Sequence, residues 1–467
     1  MRVHFSDLWR WDGTVDRGPY ALIGLLGFAI KHNIDRFVAT LVFNRKWGLF
    51  NYWIPPTTAA HITSLPKADA LMLATMLAVA LPFIWTGVVL TLRRLRAIEL
   101  SPWLVVFFFL PVVNLVFFLL LSLVPSKQGE EGHDSRPGGK LGSALDRLIP
   151  DSPLGSAAMA VLLTLPFELG AIALCVRGLG TYGWSLFVAL PFCHGLAAVL
   201  LYGYHRPRSY ATCIGVAVTS IIFLGVAMFG FAIEGVICLV MAWPIASVLA
   251  CMGGSVGYVI QRRPWSHGEA PAMLMLLILF VPVLMGAEYE NPPETPLLEV
   301  QSSIVINAPP EQVWQHVVSF AELPPPDEWV FHVGVAYPIR ARIAGTGPGA
   351  IRTCVFSTGA FVEPIQVWDE PRLLRFGVTS NPAPMQEWTI YSDVHPRHLN
   401  GFLVSRQGQF LLTPLPGGRT LLEGTTWYEH HLWPASYWQF WSDAIIHRIH
   451  LRVLNHIKRL AEERAPG

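Results

Sequence analysis

Seven charge-poor apolar runs, each about one bilayer in length, lie before residue 290 of this chain, and none lies after it. A hydrocarbon core about 30 Å thick takes roughly 20 residues of helix and leaves no backbone polar group without an internal partner. The runs therefore predict a bundle of membrane-spanning helices followed by a water-soluble domain. The predicted spans are residues 70–92, 102–124, 154–176, 182–204, 210–232, 235–260 and 271–287.

Composition agrees with this division. The mean hydropathy is +0.44, and 14% of the residues are charged, whereas about a quarter are charged in an ordinary soluble protein. The formal net charge is +1 and the chain has no long run of lysine and arginine. Because phosphate backbones require a concentrated basic patch, we predict no nucleic-acid partner. The predicted partner is the lipid bilayer.

The cysteines give no sign of a disulfide framework or of zinc-binding spacing. Five of the six lie in apolar runs, and Cys354 alone lies in the soluble part. We therefore predict neither a metal nor a cofactor.

Residues 19–43 form an eighth candidate helix, in which an apolar run is interrupted by charged residues. Lys31 and Asp35 are one helical turn apart, so they would neutralise each other inside a bundle. The segment either spans the membrane with a buried charge network or lies along the interface.

The membrane part divides at a polar linker, residues 125–153, which is rich in Gly, Pro and Ser. Residues 1–124 resemble domain of unknown function 805 in the start DGTVDR at 12–17 and the turn RRLRA at 93–97, which is followed by Trp103. Positions 96 and 97 depart from the His and Asp of that family. The resemblance implies a small membrane module without established chemistry.

Residues 154–290 form a second group of five predicted helices with few polar side chains. Ionisable groups at membrane depth are costly and are usually paired or functional. We single out the ionisable residues Glu168 and His194, together with the polar Asn114 of the first module. Glu168 and His194 would form either a structural hydrogen bond or part of a proton or substrate pathway. Gly253 and Gly257 have the spacing that permits close helix approach.

The soluble domain, residues 298–465, has a clear order of predicted elements. Alternating residues in LLEVQSSIVINA at 297–308 predict a strand, Pro309 and Pro310 open a helix, and a long amphipathic helix runs over 434–463. Between the helices, strand-like runs are separated by Gly, Pro and Asp turns. These runs lie at 332–344, 350–359, 361–368, 372–380, 402–414 and 419–431.

This domain resembles the SRPBCC superfamily, which includes START lipid-binding domains and polyketide cyclases. The resemblance rests on INAPPEQVW at 306–314, GTGPGAIR at 345–352 and WDEPRLL at 368–374. It implies a helix-grip fold, in which an antiparallel sheet wraps the C-terminal helix and encloses an apolar cavity. The whole chain is thus predicted to be a multi-pass α-helical membrane protein of seven or eight helices fused to an α+β helix-grip domain.

Orientation in the membrane depends on residues 19–43. Seven spans satisfy the positive-inside rule but place the C-terminal domain outside, whereas eight spans place it inside against that rule. We predict an inner cell membrane location and favour the cytoplasmic side for the domain, because the resembled folds are mostly intracellular.

Candidate site residues of the soluble domain come from its last strands and final helix. Asp443, His447 and His450 share one helical face, which forms either a metal or acid/base site with His430 or His431, or the plain polar face of the helix. Arg406 and Glu423 would pair inside the cavity or on the surface. The loop 381–400 either closes the cavity or rests on the membrane, or is an ordinary surface loop. The predicted cavity residues are Arg406, Glu423, Trp427, His430 and His447.

The predicted function is a noncatalytic membrane protein whose soluble domain binds a hydrophobic ligand, such as a lipid. Tethering would raise the effective concentration of a membrane-derived ligand. The alternatives are a cyclase-like or hydratase-like enzyme acting in the same cavity, and a transporter with a regulatory soluble domain.

Overall fold

The computed structural model describes residues 9–48, 52, 67–110, 113–123, 140–262, 269–389 and 396–463. Its contacts divide the chain into two compact units. The helical unit comprises Met1–Ala227 and Ala242–Pro293, and the sheet unit comprises Met228–Met241 and Glu294–Gly467.

Within the described residues, six helices are long and apolar enough to cross a membrane, which confirms a multi-pass membrane protein. They span Lys67–Ala97, Pro153–Leu179, Ser185–Tyr202, Tyr210–Gly230, Val236–Gln261 and Met273–Glu290. The α-helices up to this point are α1 (Arg17–Phe43), α2 (Lys67–Ala97), α3 (Val113–Leu123), α4 (Lys140–Leu148), α5 (Pro153–Ala173), α6 (Leu190–Tyr202), α7 (Tyr210–Gly230), α8 (Val236–Gln261) and α9 (Glu269–Glu290).

The predicted single helix over 102–124 is wrong. A 3₁₀ helix covers Pro102–Phe109, the backbone turns extended at Leu110, and α3 begins only at Val113. Leu110 precedes Pro111, and the proline ring disfavours helical backbone at the residue before it. The sequence therefore carried the signal for this break.

Helix α1 contains the predicted charge pair. Lys31 forms an ion pair with Asp35, and both residues are buried. The hydroxyl of Tyr52 donates a second hydrogen bond to Asp35 over 2.7 Å. The pairing is confirmed, and α1 is not among the six spanning candidates.

The predicted linker is partly helical. Residues 124–139 lie outside the described part of the chain, but Lys140–Leu148 forms α4. Leu145 and Ile149 bury themselves in a cluster with Val199 and Tyr202. An amphipathic helix gains stability from packing its apolar face, and this accounts for the order of Lys140–Leu148. The division of the membrane part at residues 125–153 stays a prediction.

Close approach of α6 and α8 follows the predicted glycine spacing. A Cβ at Gly253 would overlap the carbonyl oxygen of Phe192, and one at Gly257 would press on Val199. From the other side, a Cβ at Gly195 would overlap the carbonyl of Ala250. The two backbones touch because neither helix has a side chain at the crossing.

The sheet unit is a seven-stranded antiparallel sheet in the order β1-β7-β6-β5-β4-β3-β2. After β1 come two short helices, α10 (Pro310–Val318) and α11 (Trp329–His332), and after β7 comes the long helix α12 (Ala435–Glu462). The strands are β1 (Leu298–Ile306), β2 (Pro338–Ala344), β3 (Ile351–Phe356), β4 (Gly359–Asp369), β5 (Leu373–Gly377), β6 (Leu403–Leu415) and β7 (Arg419–His430).

The predicted helix-grip fold is confirmed. Helix α12 packs along β1 and β7 and supplies Val453, Leu454 and Ile457 to the main core, where they meet inward residues of the strands such as Leu374 and Leu422. Register shifts between Pro338 and Arg340, Ile365 and Val367, and Ser405 and Gln407 mark irregularities of the kind that bend strands. The predicted strand 332–344 begins later, at Pro338, because Trp329–His332 is helical.

Candidate functional site

A cavity of about 150 Å³ lies in the sheet unit, lined by inward residues of β3 to β7 and of α12. Most of its lining is apolar. The aromatic and aliphatic side chains include Phe356, Phe361, Phe376, Phe410, Ile445 and Ile449. Strand alternation directs these side chains to the concave face, and the helix closes that face.

Arg352 and Glu363 place a buried ion pair in the cavity lining. They are direct cross-strand partners on β3 and β4, so the sheet register alone brings them together. Arg352 is 2% exposed and Glu363 is 6% exposed. The pair is therefore almost fully withdrawn from water.

Three aromatic rings surround the Arg352 guanidinium. Its central carbon lies 5.6 Å from the centroid of Phe320, 5.2 Å from Phe376 and 5.6 Å from Phe410. Ring faces attract a cation at these distances, and more so when it is desolvated. The rings thus supply part of the stabilisation that water would otherwise give the charge.

Burial affects both members of the pair: it shifts the pKa of Glu363 and leaves one N–H of Arg352 without an acceptor. Burial raises the pKa of the Glu363 carboxyl above its usual value, and the Arg352 guanidinium opposes that rise. Within the described residues, Nε of Arg352 is buried without a hydrogen-bond acceptor. The lining thus contains a charged donor with one unused N–H.

A second polar group lies where α12 faces β1 and β7. The hydroxyl of Ser302 is 2.7 Å from Nδ1 of His447 and 3.1 Å from Nδ1 of His450. Nε2 of His450 is 2.8 Å from the hydroxyl of Thr426. Asp443, on the same helical face, accepts a hydrogen bond from Tyr428. Asp443, His447 and His450 thus share one face of α12, as predicted, and they contact the hydroxyl groups of strand residues.

Acidification is expected to destabilise the sheet unit through His450. Burial, with a smaller contribution from the neighbouring His447, lowers the pKa of His450 from 6.5 to about 4. A histidine held neutral in the folded state takes up its proton more readily when unfolded, so its stabilisation is complete above about pH 6.5 and is lost as the pH falls toward 4. Hydrogen exchange of β1, β7 and α12 peptides, corrected for intrinsic rates, should show less protection at pH 5 than at pH 7.

The variant His450→Gln should reduce this pH dependence. A remainder is expected from His430, whose pKa burial also lowers to about 4. Equal protection of the wild-type peptides at both pH values would contradict the prediction.

The five residues predicted to line the cavity lie elsewhere. Arg406 is paired with Glu429 through Nη2 and Oε2 at 2.7 Å, and its side chain is 51% exposed. Glu423 accepts a hydrogen bond from Gln301, and Trp427 donates one to Glu299. His430 is buried at the end of β7, and His447 binds Ser302. Their role in ligand binding stays a prediction.

Two features of the strands explain the difference. On β7, Glu423 and Trp427 alternate with the cavity residues Gly424 and Thr426, so they point to the opposite face. Arg406 falls at the register shift between Ser405 and Gln407, where an extra residue interrupts the alternation.

Sequence reasoning missed Arg352, Glu363 and His450 as lining residues. A signal existed for the first two, because Arg352 and Glu363 stand within otherwise apolar strand-like runs. A charged residue in such a run either faces water or needs a buried partner. Only the strand register shows that the two are partners.

In the helical unit, Glu168 and His194 are brought together as a buried pair. Nε2 of His194 lies 2.6 Å from the hydroxyl of Ser220, so α5, α6 and α7 are joined by one polar chain. Asn114 lies apart from this chain in α3, and its side-chain oxygen has no hydrogen-bond partner among the described residues. The two alternatives for Glu168 and His194, a structural hydrogen bond or part of a proton or substrate pathway, both stay predictions.

Comparison with known families identifies two regions of the chain. Residues 8–135 match the family "Protein of unknown function (DUF805)", and residues 298–427 match "Polyketide cyclase / dehydrase and lipid transport". Both resemblances predicted from the sequence are thus shown. No curated protein matches the chain.

Among solved structures, the chain is similar to an aromatase/cyclase from Streptomyces sp. R1128, with 16% identity over 37% of this chain and 99% of that one at a TM-score of 0.26. Truncated norcoclaurine synthase from Thalictrum flavum shares 12% identity over 38% of this chain and 99% of that one, at a TM-score of 0.25.

Proposed function

We propose that the sheet unit binds one small apolar molecule, about the size of a single aromatic ring or a short acyl segment, without converting it. The observation that carries the proposal is the apolar cavity of about 150 Å³ between the sheet and α12. A volume of about 150 Å³ is enough for a benzene-sized molecule. Pockets for drug-sized ligands measure about 300–1,000 Å³, so a whole lipid exceeds this space.

Arg352 provides a polar contact for such a ligand. It lines the cavity, and its Nε donates to no acceptor in the described chain. A ligand carrying one oxygen acceptor would satisfy that donor, and leaving a buried donor unsatisfied costs about 1–3 kcal/mol. The favoured ligand is therefore a small apolar body with one acceptor atom.

The membrane helices explain why such a domain would be tethered. Residues 291–297 alone connect α9 to β1. A covalent link to membrane-spanning helices raises the effective concentration of membrane-dissolved apolar molecules for the domain. The bilayer is thus both the anchor and the source of ligand.

Filling the cavity should weaken ligand binding. A Cβ at Gly424 would meet Leu454 at 3.6 Å and Phe410 at 3.7 Å, which are ordinary contacts, so Gly424→Leu can place its side chain in the cavity. We expect the variant to bind fluorobenzene at least about tenfold more weakly than the wild type, a loss of about 1.4 kcal/mol. Fluorine NMR of the full-length protein in nanodiscs separates a protein-bound resonance from the lipid-dissolved one.

Thr413→Leu is the matched control, since Thr413 is exposed on β6. It adds the same apolar side chain outside the cavity and should leave the bound resonance unchanged. Binding of fluorobenzene by Gly424→Leu with the affinity of the wild type would overturn the assignment of the cavity as the site.

A cyclase-like enzyme is the second candidate, favoured by the raised pKa of Glu363 in the cavity lining. Buried carboxyl groups beside charged partners are among the groups that enzymes use for general acid–base catalysis. Mass spectrometry of the molecule that co-purifies with the full-length protein distinguishes the two functions. Recovery of an unchanged molecule after incubation supports binding, whereas turnover to a product of altered mass supports the enzyme.

A further inference from the structure

A cluster of Glu234, Cys238 and His398 lies outside the cavity, within the sheet unit. Glu234 is in the turn between α7 and α8, Cys238 is in the first turn of α8, and His398 is in a 3₁₀ turn at Arg397–Leu399. The thiol sulfur of Cys238 is 2.7 Å from Nε2 of His398, and Oε2 of Glu234 is 3.5 Å from Nδ1 of the same ring.

The backbone around Cys238 is held in place by the loop that carries His398. The carboxylate of Glu387 accepts hydrogen bonds from the N–H groups of Ile237 and Cys238, each at 3.1 Å. The N–H of Val236 donates to the carbonyl of Trp388 over 3.1 Å. A Cβ at Gly235 would overlap Glu387, so this close approach requires glycine. Backbone hydrogen bonds thus fix the segment that carries Cys238 against residues 387–388.

The Glu234 side chain is buried, and one of its oxygens lacks a hydrogen-bond donor among the described residues. It is 6% exposed, and its Oε2 makes no hydrogen bond among the described residues. Glu387, a second carboxylate, is 7% exposed nearby. Burying ionised carboxylates is costly unless a cation or donors compensate them. Two buried carboxyl groups thus lie beside the thiol and the imidazole.

We propose that Glu234, Cys238 and His398 bind a divalent transition-metal ion, with zinc as the best match. One ligand atom from each residue lies within 4.8 Å of the other two. Thiolate, imidazole and carboxylate are the three ligand types of protein zinc sites. Sulfur and nitrogen ligands of one tetrahedral zinc lie about 3.5 Å apart, given bond lengths near 2.3 and 2.0 Å, so binding moves Cys238 and His398 apart by less than about 1 Å.

Three protein ligands leave one position of a tetrahedral ion for water or an external ligand. Glu387 does not fill it, because both of its oxygens accept backbone hydrogen bonds. On binding, the Cys238 thiol transfers its proton to solvent and its sulfur bonds to the metal, so affinity should rise with pH.

Metal titration of the full-length protein tests the proposal. Chelator-treated protein in detergent is titrated with zinc and, separately, with cobalt. We expect one tightly bound ion per chain and, with cobalt, the near-ultraviolet absorption of a thiolate–cobalt bond. That absorption should be lost in Cys238→Ser, and stoichiometric zinc binding should be lost in the double variant Cys238→Ser/His398→Gln.

Cys251→Ser is the matched control, because Cys251 lies on the same helix outside the cluster. It should keep both the absorption and the stoichiometry. Absence of a thiolate–cobalt band in the wild-type protein would overturn the proposal and leave a hydrogen-bonded thiol and imidazole. The cobalt titration of the wild-type protein tests the proposal even where a variant fails to fold. Metal binding that is unaltered in Cys238→Ser would also overturn the proposal.

Discussion

Replacing Glu363 by alanine is expected to lower the free energy of unfolding of the sheet unit by about 3–5 kcal/mol. The variant leaves the Arg352 guanidinium charged and 2% exposed, without its carboxylate partner. The ring faces of Phe320, Phe376 and Phe410 contact the guanidinium in the wild type as well as in the variant, so they do not compensate for the lost carboxylate. Denaturant-dependent hydrogen exchange of β3 and β4 peptides measures this unit within the full-length protein.

Two controls separate loss of the buried pair from loss of any ion pair. Glu429→Ala removes the partner of the exposed Arg406 and should cost at most about 1 kcal/mol. The double variant Arg352→Met/Glu363→Leu removes both charges and should recover most of the stability, because apolar groups of similar volume replace buried ion pairs well. The explanation fails if Glu363→Ala is no more damaging than Glu429→Ala.

Gly253→Ala is expected to destabilise the helical unit by about 3 kcal/mol, at the upper end of the cost of overpacking. Its Cβ would overlap the carbonyl oxygen of Phe192, a backbone atom that cannot rotate away. Helices α6 and α8 would have to separate, and the contacts beside the crossing would be lost. The measurement is the thermal stability of the full-length protein in detergent, compared with the wild type.

Gly215→Ala provides the matched control on α7, since no atom lies within 4 Å of its added Cβ. The same substitution there should be neutral or slightly stabilising, because glycine in a helix costs about 0.5–1 kcal/mol relative to alanine. Equal melting temperatures for the two variants would contradict the close-packed crossing.

Much of the architecture followed from local patterns. The apolar runs predicted the membrane-spanning helices because the hydrocarbon core imposes a length and a solvent on each segment separately. The spacing of Lys31 and Asp35 predicted their pair because one helical turn brings them together wherever the helix lies. Alternating residues and turn signals likewise predicted the sequence of strands and the final helix.

The candidate site was much harder to predict. Arg352 and Glu363 are neighbours only through the register of β3 and β4. Arg406 was a candidate for the cavity because it lies on a strand-like run next to that of Glu423, and the register shift after Ser405 falls at this residue. A shift of one residue moves a side chain to the other face of a sheet, so a small error of register changes the whole lining.

By itself, the sequence determined which segments are apolar enough to enter lipid, which segments form strands and which form helices, because hydropathy and backbone preference act over a few residues. The packing of the sheet against the final helix was implied by the resemblance to the SRPBCC superfamily. Only the tertiary structure decided which side chains meet. Cys238 and His398 lie 160 positions apart, and no spacing rule joins them. Their contact, like that of Glu363 with Arg352, depends on how distant segments pack, and packing is a property of the whole chain.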